Sequence, residues 1–222
     1  MNRDEAFLSA YEHLFVLGCG IPHLNEGVFL AEEHALRGLY IFPFHPACLI
    51  DILSIADMAE VILYWEVSKG NTEIFNLRWR WFRSIIEAFE MGTTPSTSLP
   101  ETYRFVSQRA NLSSTQFQWI KENLWTIPFE SLTSDNPPNG QYRDGLMFRV
   151  QTRNVNSLFI SIDSWAEHHE DESVYRCFLY LYQLACSALS DLDSRLILVS
   201  LQRYFFGVQA MSLHDFIFPL IR

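Results

Sequence analysis

The chain has 222 residues, 49% of them hydrophobic, so it is long enough to bury a core and too apolar to be disordered. Its 26 acidic and 16 basic residues give a formal net charge of −10. This balance excludes a basic nucleic-acid module, because a phosphate backbone would be repelled over most of the surface, and it favours a basic protein as any charged partner.

The beginning of the chain predicts a cytosolic protein. Asp4 and Glu5 stand where a secretory signal needs positive charge followed by an apolar run. Two apolar runs approach the length of a membrane span, but residues 46–65 contain three acids, and residues 205–221 are interrupted by two polar residues and a proline. We therefore expect no membrane partner.

The four cysteines show neither a CxxC motif nor the spacing of a zinc site. A cytosolic chain of this size does not need a disulfide framework, so we expect reduced, buried thiols without a catalytic role. They are Cys19, Cys48, Cys177 and Cys186.

The spacing of apolar residues in the first part of the chain predicts helices. An amphipathic helix is expected over 4–17, ended by Gly18, and a shorter one over 28–37. Two prolines then lead into the apolar run 46–65, which predicts a long central helix with neighbours around most of its circumference. Its only charges are Asp51, Asp57 and Glu60.

The helix expected over 72–91 is predicted to pack antiparallel against the central helix. Its arginines would then form ion pairs with the acids of the central helix. The mixture of arginine and tryptophan is also typical of a stacking platform for single-stranded nucleic acid, but internal pairing would neutralise both sets and is the interpretation that we favour. The arginines are Arg78, Arg80 and Arg83.

Two capping boxes follow along the chain. The first begins at Ser98 and predicts a helix to about Arg109, and the second begins at Ser113 and predicts a helix that ends before Pro128. The irregular stretch 129–144 is then the best candidate for a surface loop, or for a subdomain boundary within a single domain that spans 1–222.

Residues 146–163 support two interpretations. Alternation at Leu146, Phe148 and Val150 is typical of a strand, whereas the apolar spacing over 158–166 is that of a helix, which we favour for the second segment. Two further helices are predicted over 173–190 and from there to about Phe206.

The predicted fold class is therefore mostly α, a single globular bundle of about eight helices around the central helix 46–65. The alternative is an α+β fold with a small hairpin at 146–162.

The sequence contains no motif that names a reaction. HExxH, GxGxxG and GxxxxGK are all missing from it. The acid- and histidine-rich run 167–172 is a poor metal site, because adjacent residues on a helix point about 100° apart. Cys19 with His23, and Cys48 with His45, are the only pairs that suggest a nucleophile and a base, and neither has a family signature. We predict no cofactor, no metal and no catalytic residue.

The favoured function is a cytosolic binding or inhibitor protein, most plausibly an immunity-type protein that neutralises a basic toxin or effector by occupying it. The predicted partner-binding surface is the densest negative segment of the chain, because such a field accelerates the capture of a basic surface. Its residues are Asp163, Glu167, His168, His169, Glu170, Asp171 and Glu172. The competing interpretation of these acids is that they only stabilise the N-terminus of the following helix.

Two other functions compete with the binding protein. One is a small enzyme or ligand sensor with a pocket at the central helix, and the other is a structural subunit of a larger complex. A pocket lined by several ionisable groups would favour the enzyme. Its candidate residues are His45, Cys48, Asp51 and Asp57.

Overall fold

The structure, a computed structural model, describes residues 3–25, 33–41, 47–67, 72–95, 98–101, 103–129, 146–153, 159–166 and 173–206. Over these residues the chain is an α+β fold, in which six antiparallel strands form one sheet with helices on both of its faces.

The described elements are five helices and six strands. The helices are α1 (Arg3–Cys19), α2 (Thr72–Glu90), α3 (Ser114–Asn123), α4 (Ser173–Ala188) and α5 (Leu192–Phe206). The strands are β1 (Glu33–Ile41), β2 (Cys48–Ile55), β3 (Met58–Glu66), β4 (Phe105–Asn111), β5 (Leu146–Arg153) and β6 (Phe159–Ala166). Their order in the sheet is β4-β3-β2-β1-β5-β6, so β1, β2 and β3 are interior strands.

One face of the sheet is covered by α1. Leu8 and Phe15 of this helix pack on a layer of strand residues that includes Leu39, Leu49 and Ile62. Helix α2 packs against α1. The contact is a cluster formed by Ala6, Ala10, Phe82, Ile85 and Ile86. The apolar stripe of α2 is therefore buried by another helix.

The opposite face carries the larger core. Helix α4 lies on it and places Phe178, Leu181 and Tyr182 against strand residues such as Tyr40 and Phe148. Tyr40 donates a hydrogen bond of 2.9 Å to the carbonyl of Phe178, so the buried hydroxyl has a partner. Helices α3 and α5 add Ile120 and Leu198 to the same core.

The prediction of an eight-helix bundle is wrong, mainly because the run 46–65 does not form the expected central helix. This run forms the hairpin of β2 and β3, joined by the two residues Ala56 and Asp57. Interior strands with both faces covered read as continuous apolar runs, and such runs lack the alternation that marks a strand. The turn between them also lacks the Asn-Gly or Asp-Gly signal of a tight hairpin.

Three other predicted helices are strands for related reasons. The described part of 28–37 belongs to β1, the helix predicted from Ser98 is replaced by β4, and the second part of 146–163 is β6. Of the α+β alternative, the class is confirmed and β5 and β6 pair antiparallel, with Val150 opposite Ile162, but the pair extends to residue 166 and belongs to the six-stranded sheet instead of forming a small separate hairpin. Here the cross-strand ladder outweighs a local helical spacing. Apart from residue 129, the predicted boundary loop 129–144 lies outside the described residues.

The remaining helix predictions are confirmed as α1, α2, α3, α4 and α5. The capping box at the start of α3 is present, with the Ser113 hydroxyl 3.2 Å from the amide nitrogen of Gln116 and the Ser113 amide donating to the Gln116 side chain at 2.8 Å. The capping box predicted at Ser113 is therefore confirmed, whereas the one predicted at Ser98 does not begin a helix.

The predicted pairing of 72–91 with the central element is wrong. Helix α2 packs on α1, and Arg83 binds Glu87 of its own helix at 2.9 Å. The acids of 46–65 have other partners: Asp51 binds Arg37, Asp57 lies near Lys121, and Glu60 lies near Arg109.

Candidate functional site

The tip of the β2–β3 hairpin exposes two large apolar side chains. Ile55 ends β2 and Met58 begins β3, and the two residues are directly opposite each other across the turn. They are 47% and 75% exposed, respectively. Ala56 between them has φ 52°, a left-handed conformation that is costly for a residue with a Cβ atom. The hairpin tip therefore combines exposed apolar side chains with a strained backbone, which makes it a candidate contact site.

A cavity of about 240 Å³ lies beside this tip. Two cross-strand rows contribute to its lining, one formed by Leu53, Glu60 and Asn111 and the other by His34, Ser54 and Ala59. Ile55 and Met58 complete the lining. Its walls are mainly apolar, and its volume is below the roughly 300–1,000 Å³ of sites for drug-sized ligands, so one side chain or a small molecule fits.

Two carboxylates stand at this end of the sheet, and the basic partners that they have among the described residues are distant. The Glu60 carboxylate is 29% exposed and lies 3.9 Å from the guanidinium of Arg109, while the fully exposed carboxylate of Asp57 lies 4.0 Å from the Lys121 ammonium. Lys121 is also held 4.2 Å above the ring of Phe117. Exposed pairs at such distances stabilise a protein by at most about 1 kcal/mol, so both carboxylates can exchange partners.

His34 gives the cavity a polar group with little charge. Its ring packs on the indole of Trp125, with 5.3 Å between the ring centroids. Burial lowers the pKa of His34, because the charged imidazolium loses hydration there. The ring lies on the α4 side of the sheet, because His34 is opposite Ser54 and adjacent strand residues point to opposite faces, so it does not face the Glu60 carboxylate.

A second polar cluster lies buried between α1 and the sheet. Glu12 of α1 accepts hydrogen bonds from Arg149 at 3.1 Å and from Gln151 at 2.9 Å, and its other oxygen lies 3.4 Å from the Nδ1 atom of His23. Arg37 and Asp51 form an ion pair in the same layer. The carboxylates and guanidinium groups match in number, so this cluster has the composition of a structural network that fixes α1 on the sheet.

The residues proposed for an enzyme at 46–65 are not brought together. Asp51 is bound by Arg37 on the α1 side, Cys48 is buried in the core on the α4 side, and Asp57 is exposed at the hairpin tip. His45 lies outside the described residues. Adjacent strand residues point to opposite faces, which explains why closeness in sequence did not produce a site.

All four cysteines are free thiols. Burial raises the pKa of Cys19 and of Cys186 to about 12 and raises the pKa of Cys48 and Cys177 as well. A thiolate is the reactive form of cysteine, so at neutral pH these side chains have the properties of small apolar groups.

The acidic segment predicted as the partner surface is only partly described. Asp163 is in β6 and lies directly opposite Arg149 of β5. Residues 167–172, which contain the other predicted site residues, lie outside the described part of the chain. Their role in binding stays a prediction.

The hairpin tip was not predicted from the sequence, because residues 46–65 were expected to form a helix. Asp57 and Glu60 were recognised as acids within an apolar run, but their exposure depends on a turn at Ala56. The signal that could have found the turn is its position, since Ala-Asp is the least β-prone pair between two runs rich in Ile, Leu and Val.

Among the described residues, no group of three or more His, Cys, Asp or Glu side chains is arranged to hold a metal ion. The described helices include none with the length and apolar character needed to cross a membrane. Comparison of the chain with known protein families, with curated proteins and with solved structures gave no match.

Proposed function

We propose that this chain is a cytosolic binding protein of the immunity type, which neutralises a basic protein by occupying it, and that the β2–β3 hairpin tip belongs to the contact surface. The observation that carries the proposal is the exposure of Ile55 and Met58 beside an apolar cavity with acids at its edge. Exposed apolar groups next to a pocket, surrounded by polar residues, are typical of protein contact sites.

The charge of the chain supports a basic partner. The net charge of −10 attracts a cationic protein over several ångströms and raises the association rate, although it adds little to the affinity of the final contact. Apolar anchors supply that affinity, because they are fully desolvated in the complex. The hairpin tip combines both requirements, since Asp57 lies between Ile55 and Met58 in the chain and Glu60 follows Met58 by two residues.

A photo-crosslinking experiment tests this proposal. A photoreactive amino acid replaces Met58 in one version of the chain and Met91 in another, and each version is irradiated in cells of the source organism. Met91 is a matched control, because it is 71% exposed but follows the end of α2. We expect one basic protein to be crosslinked through position 58 and not through position 91.

The captured protein must then meet two further requirements. It must form a stoichiometric complex with the purified chain, and Met58→Asp must weaken that complex at least about tenfold, as expected for loss of an apolar anchor. Co-expression of the chain must also relieve the toxic activity of the partner. Equal labelling from both positions, or capture of acidic proteins only, would contradict the proposed function.

A further inference from the structure

We infer that the cavity at the hairpin tip receives the side chain of a lysine or arginine from the partner, with its aliphatic stem on the apolar wall and its cation at the carboxylate of Glu60. This inference rests on the proposed function and specifies the chemistry of its contact site.

The size and the lining of the cavity fit such a side chain. A volume of about 240 Å³ accommodates one long side chain, and Leu53, Ile55 and Met58 provide an apolar wall. Lysine and arginine place three or four methylene groups on apolar surfaces while their charged ends reach a polar rim. A purely apolar side chain would leave the Glu60 carboxylate and the Asn111 amide at the rim without a new partner.

The position of Glu60 selects a cation. Its register partners are Leu53 on β2 and Asn111 on β4, so the carboxylate lies between an apolar residue and a neutral amide. An incoming cation would bind this carboxylate where solvent is partly excluded, which strengthens the attraction relative to that of an exposed pair. Asp57 lies three residues away in the turn of the hairpin and adds a second negative charge.

Arg109 is the resident cation that the partner would replace. Its side chain is 71% exposed and stays 3.9 Å from the Glu60 carboxylate, a distance beyond that of a charge-assisted hydrogen bond. Removal of Arg109 should therefore strengthen the binding of the partner, because the Glu60 carboxylate no longer has to release Arg109 before it binds the incoming cation.

Small probes test the cavity without the natural partner. The probes are the N-acetyl, N-methylamide derivatives of lysine and norleucine, which have similar stems but differ in charge. Binding is followed by the chemical shifts of labelled methionine methyl groups, in which Met58 reports on the cavity and Met91 is the distant reference. We expect the lysine probe to bind in the millimolar range at Met58 and about fivefold or more tightly than the norleucine probe.

Substitutions then identify the groups responsible. Glu60→Gln should abolish the preference for lysine, and Arg109→Gln should tighten lysine binding about two- to fivefold. Glu87→Gln is the matched control, because Glu87 is an exposed carboxylate paired with arginine on α2.

Two results would overturn this inference. Equal binding of both probes would show that the cavity selects apolar groups, and the absence of any shift at Met58 at saturating concentration would show that it does not accept this kind of side chain. Neither result would contradict the proposed function, which the crosslinking experiment tests separately. A basic protein can contact Ile55 and Met58 without inserting a side chain into the cavity.

Discussion

Arg37 and Asp51 lie directly opposite each other on β1 and β2 and form a bidentate ion pair in which both N–O distances are 2.8 Å. Both side chains are buried, and Arg37 also donates to the carbonyl of Pro22 at 3.0 Å. Within an otherwise apolar run, Asp51 therefore compensates a buried guanidinium. The pair also stabilises the β1–β2 register, because a shift by one residue would separate the two charges and leave each without its partner.

The first prediction concerns this pair. Asp51→Asn should lower the free energy of unfolding by about 3–5 kcal/mol, because it leaves the charge of Arg37 buried without its counter-charge. Urea unfolding of the variant and the parent chain measures the loss. Asp57→Asn is the control, since Asp57 is fully exposed and its replacement should leave the midpoint unchanged.

The double variant Arg37→Met with Asp51→Leu separates charge compensation from packing. Apolar residues of similar volume often replace a buried ion pair without loss, so this variant should be clearly more stable than Asp51→Asn alone. If both variants unfold at the same urea concentration, the pair would not have the role that its geometry indicates.

The second prediction concerns Glu12 and pH. Burial raises the pKa of Glu12, but the hydrogen bond with His23 and the charges of Arg149 and Arg37 together outweigh it, so the pKa is lowered from its ordinary value of 4.5. A carboxylate whose pKa is lower in the folded than in the unfolded chain stabilises the fold above the unfolded value, and this contribution is lost as pH falls through the folded value.

Urea midpoints between pH 7 and pH 3 test this dependence. Glu12→Gln should be less stable than the parent at pH 7, and the difference should shrink as the solution becomes more acidic, because protonation removes the same charge in the parent. Glu87→Gln, which changes an exposed carboxylate on α2, controls for net charge. A constant difference across the whole pH range would contradict the role assigned to Glu12.

The sequence predicted helices better than strands for a physical reason. In α3, the Ser113 and Gln116 side chains satisfy backbone groups within four residues, so the signal is local and readable. In β1 to β3, the partners are set by tertiary pairing, and burial on both faces removes the alternation that reveals a strand. Ile52 and Ile62 are buried in the core, but as residues of β2 and β3 and not of the expected central helix.

The candidate site was less predictable than the fold. The acids Asp57 and Glu60 are visible in the sequence, but the cavity exists only because β3 lies between β2 and β4, which brings Leu53 and Asn111 to either side of Glu60. Residue 111 is 51 positions from Glu60, and no local pattern connects them. A site assembled from several strands in this way can be recognised only when the strand pairing is known.

The third prediction concerns the strained turn at Ala56. Because its φ of 52° is costly for alanine and free for glycine, Ala56→Gly should raise the free energy of unfolding by about 0.5–1 kcal/mol. Ala56→Val should lower it, since a β-branched side chain tolerates this conformation worse. Thermal unfolding of the two variants measures both effects, and the opposite order of stability would show that the turn is not strained.

The fourth prediction concerns the thiols. At neutral pH in the folded chain all four cysteines should react slowly with iodoacetamide, because burial raises the pKa of each. Cys19 should react first, since it alone is partly exposed. Mass spectrometry of chains quenched at increasing times gives the order, and rapid labelling of Cys48 or Cys177 without unfolding would contradict the buried core on the α4 side.

The last prediction separates the two interpretations of the acidic run 167–172. If these acids steer a basic partner, reversal of Glu167, Glu170 and Glu172 to Lys should cause a large fall in the association rate with the protein crosslinked through position 58, and added salt should reduce the difference. If they only favour the N-terminus of α4, which begins at Ser173, the association rate should be unchanged and the free energy of unfolding should fall by less than about 1 kcal/mol. Stopped-flow association at two salt concentrations and urea unfolding of the same variant measure both quantities. Reversal of Glu87, Glu90 and Glu101 to Lys is the control for net charge, because it also replaces three exposed acids but leaves this segment unchanged. A rate that falls equally in both variants would assign the effect to the overall charge of −10 and remove the run from the contact surface.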